Sequence, residues 1–130
     1  MVDTKRYVEW FEMARRDMRS AKILFEHDGD NAAICFHLQQ STEKYLKGYL
    51  IYQERRLQEG HSLLRLCKKA KTYKNEFKDF ERDMMFLNSY YIETRYPAEE
   101  ALKIDVEDVE ECFRITQDIM KFIDNILEKI

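Results

Sequence analysis

Six side chains in this 130-residue chain have the types and spacings that could do chemistry: Glu43, Lys44, Lys47, His61, Arg95 and Tyr96. Lys44 and Lys47 are three residues apart, so on a helix they share a side and could meet phosphate oxygens. The same spacing also serves a solvated helix face. Glu43 and Lys47 form an i,i+4 pair in the stabilising order. Arg95 lies four residues beyond Tyr91, at the end of a series of apolar positions stepping by three and four. That count places a guanidinium on an inward stripe, where a charge must be paired or face a cleft. It binds phosphate or another anion at the helix end, or it pairs with a carboxylate such as Glu43. Tyr96 offers a ring on which a base could stack, or a cover for the core beneath Pro97.

Several other chemistries find little support. Arg56 and His61 stand in a loop with four residues between them; a metal-independent ribonuclease could use such a pair, one charge stabilising phosphate and the other group moving protons. The bland alternative is that His61 caps or packs the start of the next helix. No histidine has a glutamate three residues before it, so a carboxylate-bridged metal centre in a bundle is not expected. Cys35-x-His37 is the one close Cys/His pair and lacks further zinc ligands nearby in sequence. Glu9/Glu12 and Glu76/Asp79 are too far apart in sequence to argue for a magnesium-dependent pyrophosphohydrolase. Three scattered glycines exclude a Gly-rich phosphate loop. Neither a cofactor nor a metal is expected.

The elements that must position these residues are helices. Three glycines and one proline leave few sites for the tight turns of a β fold. A first helix is predicted from about Thr4 to His27, with Tyr7, Phe11, Ala14, Met18, Ala21 and Phe25 on one face. The His27-Asp28-Gly29-Asp30 stretch breaks it, with glycine free to turn left-handed. Asn31 is expected to cap a second helix reaching about Glu54, whose inward stripe is Ile34, Leu38, Ser41, Tyr45, Tyr49 and Tyr52. Phe36, Leu50 and Ile51 fall on its other side, so this helix is either central or covered by a second subunit. Gly48 within it suggests a close helix crossing. A shorter helix starts at His61 or Ser62. A fourth is capped by Asn75 and stopped by Pro97, and a last one is capped by Asp105. The expected fold class is all-α: one domain over residues 1–130, an up-and-down bundle of about five helices, four of them long.

Charge is uneven. Arg65 to Lys74 holds five bases and no acid, and Glu99 to Glu111 holds seven acids and one base. These are solvated helix faces, or docking patches for an opposite-charged partner or a second copy. A net charge of −3 does not suggest a DNA-coating protein. The first fifteen residues lack the apolar core of a signal peptide, and no apolar run approaches a membrane span. Three widely spaced cysteines fit no disulfide framework and suit ordinary core positions. Together these point to a reduced, cytoplasmic protein without a membrane partner.

Two stretches carry a resemblance when taken together. Cys35-Phe-His-Leu-Gln-Gln-Ser-Thr-Glu-Lys-Tyr-Leu-Lys47 is followed by His61-Ser-Leu-Leu64, and then by Tyr90-Tyr-Ile-Glu-Thr-Arg-Tyr-Pro97. Their order and spacing resemble the HEPN domain family (higher eukaryotes and prokaryotes nucleotide-binding), over about residues 5 to 128. Ser62 stands where the family often has Asp. The resemblance implies a helical bundle that dimerises, a nucleotidyltransferase partner encoded next door, and a toxin–antitoxin-like pairing. It also implies a nucleotide or RNA as ligand. Some members are metal-independent ribonucleases with Arg, four to six residues, then His near the end of the fourth helix. Arg95 would be that arginine, but no histidine follows it anywhere in the chain. The expectation is therefore a non-catalytic binding module, with Glu43, Lys44, Lys47, Arg95 and Tyr96 as candidate nucleotide or anion contacts. The alternative is a ribonuclease with Arg95 and His61 as its candidate catalytic residues.

Overall fold

The computed structural model describes residues 6–90 and 103–128. All regular structure among them is helical: α1 (Arg6–Glu26), α2 (Asn31–Glu54), α3 (Leu63–Lys71), α4 (Glu81–Asn88) and α5 (Val106–Glu128). The all-α bundle is as the periodicity predicts. Three described helices are long. The fourth begins as a 3-10 stretch over Asn75–Phe80 and continues as α4 for eight residues. Its expected run to Pro97 lies outside the described residues.

α1 turns Phe11, Ala14, Met18 and Ala21 into the core, as their spacing requires. Tyr7 is half-buried, whereas Phe25 is exposed and meets Phe113 of α5 edge-on. The turn after α1 differs from expectation in one residue. Asp28, not Gly29, takes the left-handed conformation, with φ 56°. Aspartate tolerates that region. Gly29 is needed for space: its N–H donates to Leu24 O at 2.6 Å, and a Cβ would lie 2.8 Å from the Leu24 side chain.

α2 is capped by Asp30 rather than Asn31. The Asp30 carboxylate accepts from Ala33 N at 3.0 Å, while Asn31 Nδ2 donates to Ile104 O at 2.9 Å and ties α2 to the segment entering α5. Asn75 likewise opens the 3-10 stretch instead of capping it. Phe77 N closes back on Lys74 O at 3.1 Å, and no side chain caps that turn. Ser62 caps α3 through Arg65 N, and Asp105 caps α5 through Asp108 N.

α2 is the axis of the bundle, packed by α1, α3, α4 and α5. Leu50 and Ile51 are as buried as Leu38 and Tyr45 on its opposite side. Leu50 and Ile51 are therefore covered within one chain, whereas Phe36 is only half-buried. Gly48 marks the α1–α2 crossing: a Cβ there would lie 2.7 Å from the Phe11 ring and 3.2 Å from Tyr7 O. Phe11 in turn stacks on Tyr45 with ring centroids 4.3 Å apart. Two hydroxyls at this centre are paired across helices, whereas the buried Gln39 Nε2 has no hydrogen-bond partner among the described residues. Ser41 Oγ donates to Ala14 O at 2.7 Å, and Thr42 bonds Thr116 of α5 at 3.1 Å. Cys35, Cys67 and Cys112 are buried free thiols, and burial pushes the Cys67 thiol up to about 12. No helix among the described residues is long and apolar enough to cross a membrane.

Candidate functional site on the second helix

The candidate residues of α2 lie on one polar band, built by helical spacing. His37, Gln40, Lys44 and Lys47 follow one another at three, four and three residues, and Glu43 flanks them. α1 supplies Asp17 and Trp10 along one side of the band, and the turn into α3 supplies His61 along the other.

At one end of the band, Asp17 is held from two directions. His37 Nδ1 lies 3.1 Å from one of its oxygens and Lys44 Nζ lies 2.5 Å from the other. The Lys44 side chain retains partial exposure, so this pair joins α1 to α2 near the surface. Lys44 is therefore engaged, and an anion reaching it competes with Asp17 or adds to its outer side.

One turn further along, Glu43 and Lys47 are buried, 3% and 6% exposed. Lys47 Nζ donates to Glu43 Oε2 at 3.1 Å and stands 5.9 Å from the centre of the Trp10 ring. Carboxylate and indole together stabilise an ammonium that has lost most of its water. His61, half-exposed at the threshold of α3, places Nδ1 3.1 Å from Glu43 Oε1 and 3.3 Å from Oε2. His61 does not cap α3, since Ser62 does; its bond instead ties the turn before α3 to α2. The carboxylate fixes the ring orientation and directs Nε2 away from itself, as in a His–carboxylate dyad.

The structure thus brings together Glu43, Lys47 and His61, with Lys44 one step away on the α1 side. Arg95 and Tyr96 lie outside the described residues. Trp10 and Asp17 carry no sequence signal of their own. Asp17 sits among the apolar positions of α1 like any flanking acid, and only the α1–α2 packing gives it partners. The described residues contain no cluster of three or more His, Cys, Asp or Glu able to hold a metal.

A groove of about 610 Å³ lies elsewhere, between α1 and α5, lined by residues that include Lys22, Phe25, Phe113 and Arg114. Its most prominent cation, Arg114, is taken up by Asp83, Glu111 and Asp118 at 2.5–3.2 Å. It brings none of the candidate residues together.

The comparisons agree with this architecture. The family model described as "HEPN domain" matches residues 7–126. The chain belongs to the HEPN domain family. It is similar to the crystal structure of TT1696 from Thermus thermophilus: 30% identity, TM-score 0.82, covering 93% of this chain and 98% of that one. It is also similar to the crystal structure of ST0689, described as an archaeal HEPN homologue: 25% identity, TM-score 0.73, covering 92% and 95%. No curated protein matches the chain.

Proposed function

We propose that this chain is a non-catalytic HEPN-type binding module that pairs with a nucleotidyltransferase and holds a nucleotide, or a comparable anion, against the polar band of α2. The observation that carries the reading is the buried Glu43–Lys47 pair with His61 at its edge. Buried charges are costly unless compensated, and a compensated charged cluster reaching the surface of a helical bundle is a functional-site candidate. Lys44, Lys47 and the sequence-adjacent pair Arg95–Tyr96 supply cations and a ring of the type that phosphate and base require. In family terms the arrangement suits the antitoxin-like or toxin-like half of a two-protein pair, and a homodimer in solution.

Calorimetric titration with ATP and other nucleotides tests the ligand. A saturable heat that Lys47→Met weakens supports the reading, and the absence of both heat and thermal shift removes it. Co-expression with a nucleotidyltransferase encoded beside this gene tests the partner, with co-purification as the expected result.

One observation favours a second reading. The Glu43–His61 dyad has the geometry of an oriented proton carrier, which a ribonuclease using Arg95 and His61 would need. That reading predicts RNA cleavage without added metal, abolished by His61→Ala. Intact RNA after prolonged incubation with pure protein rejects it.

A further inference from the structure

The elbow from the end of α2 through α3 carries an excess of positive charge. Residues 55–74 contain seven bases and one acid, in a chain whose net charge is −3. Three of the bases are neutralised by carboxylates from outside the segment or at its edge: Lys69 by Glu54, Lys71 by Glu81 and Lys74 by Glu76. Arg55, Arg56, Arg65 and Lys68 are exposed and have no carboxylate within ion-pair distance among the described residues. Arg65 is instead held by neutral oxygens, donating to Gln58 Oε1 at 3.3 Å and to the Glu59 carbonyl. Its charge is therefore fixed in position with no carboxylate of the described residues paired to it.

The platform beneath these cations is tied together through Glu54. Its carboxylate accepts from Gln58 Nε2 at 2.7 Å and from the Tyr73 hydroxyl at 2.6 Å, and Lys69 stands 3.5 Å away. Arg55 closes α2 in the left-handed region, with φ 58° and its N–H on Ile51 O at 2.7 Å. The loop is thus held against both helices, which lowers the entropy lost when a partner docks.

Two large side chains stand exposed among the cations: Leu57 at 45% and Tyr73 at 42%. Arginine and tyrosine are the residue types enriched where protein interfaces concentrate their energy, and a leucine exposed beside them gains by burial against an apolar recess. A nucleic acid would use the cations but gain little from Leu57, and the negative chain as a whole would repel it at long range.

We infer that the α2–α3 elbow is a protein-docking surface, and that the face it fits is acidic with an apolar recess for Leu57. It deepens the partner reading above by giving the partner a place and a chemistry, and it rests on that reading only for the partner's identity. The interface is steered by Arg56, Arg65 and Lys68 and anchored by Leu57 and Tyr73.

The test uses the full chain and a labelled helical peptide of repeating Glu and Leu, with an RNA oligonucleotide of matched charge beside it. Fluorescence polarisation at low salt should show the peptide bound more tightly than the RNA, with affinity falling as salt rises. The double variant Arg65→Glu/Lys68→Glu should weaken peptide binding at least roughly tenfold, and Leu57→Ser severalfold. Arg19→Glu, on the exposed side of α1, should leave it unchanged, and circular dichroism should show each variant folded.

Tighter binding of the RNA, no binding of the peptide, or equal binding by Arg65→Glu/Lys68→Glu overturns the inference. So does a rise in molecular mass with protein concentration that the same double variant abolishes, since the surface would then join copies of this chain. Co-purification with a nucleotidyltransferase that survives the double variant would move the docking surface elsewhere while leaving the partnership intact. Failure of the wild-type chain to co-purify would instead remove the partnership.

Discussion

Lys47 and Glu43 are the pair whose chemistry is least like that of a plain bundle. Each is buried and each depends on the other. Removing one partner leaves an uncompensated buried charge, so Glu43→Leu or Lys47→Met alone should destabilise by about 3–5 kcal/mol. The double variant Glu43→Leu/Lys47→Met should recover most of that loss, because two apolar side chains of similar size need no compensation. Chemical denaturation of the four proteins measures the cycle. Asp17 allows a sharper functional prediction. It holds Lys44 at 2.5 Å, so Asp17→Asn should free an ammonium on the band and tighten binding of a nucleotide or inorganic phosphate severalfold. A titration in which Asp17→Asn binds no better than wild type would take Lys44 out of the site.

At the scale of the elements, α2 decides most of what the fold can do. Gly48 lets α1 approach it, and Gly48→Ala drives a Cβ to within 2.7 Å of a Phe11 ring already stacked on Tyr45. Overpacking of this kind costs about 1–3 kcal/mol, read as a lowered melting temperature. The α2–α3 elbow has a pH dependence through Glu54. Burial pushes its carboxyl up, but the hydrogen bonds from Tyr73 and Gln58 and the charge of Lys69 together hold it below its ordinary 4.5. A depressed carboxyl contributes stability that is fully present above 4.5 and is lost as pH falls through the lower folded value. The acid limb of the stability curve should therefore flatten in Glu54→Gln, measured as melting temperature from about pH 6 down to about pH 3.

Much of this element scale is legible in the sequence, because it depends on local spacing. The apolar stripes of α1 and α2, the Asp105 cap and the close approach at Gly48 follow from periodicity and residue type. Two of the differences are one residue wide and physically close. Asp30 caps in place of Asn31 because both can accept a hydrogen bond, and Asn31 is claimed by Ile104. Asp28 turns left-handed in place of Gly29 because both tolerate it, and Gly29 is needed for space. The site is legible only in part. Sequence names Glu43, Lys44, Lys47 and His61, but nothing local says that Lys47 lies against Trp10 or that Lys44 belongs to Asp17. Those contacts arise when α1 packs on α2, and spacing within one helix carries no information about them.

For the whole molecule, the burial of Leu50 and Ile51 within a single chain removes one motive for a second subunit, and the proposal of a dimer rests on the family resemblance. Light scattering at micromolar concentration should give twice the chain mass, and a monomer would contradict the dimer. Among the described residues the charge distribution gives two distinct faces: the polar band of α2, where opposite charges are already matched, and the α2–α3 elbow, where four of the seven cations are not. The first suits a small anion held among preset partners, and the second suits a protein that brings its own acids.

The proposed binding of a nucleotide or comparable anion at the band of α2, without catalysis on RNA, is open to one direct measurement. Isothermal calorimetry of the full chain with ATP, in parallel with Lys47→Met and Arg95→Ala, tests it most directly. A saturable heat is predicted for the wild type, weakened roughly tenfold or more in each variant that circular dichroism shows to be folded. A wild-type titration with no heat and no accompanying thermal shift would contradict it.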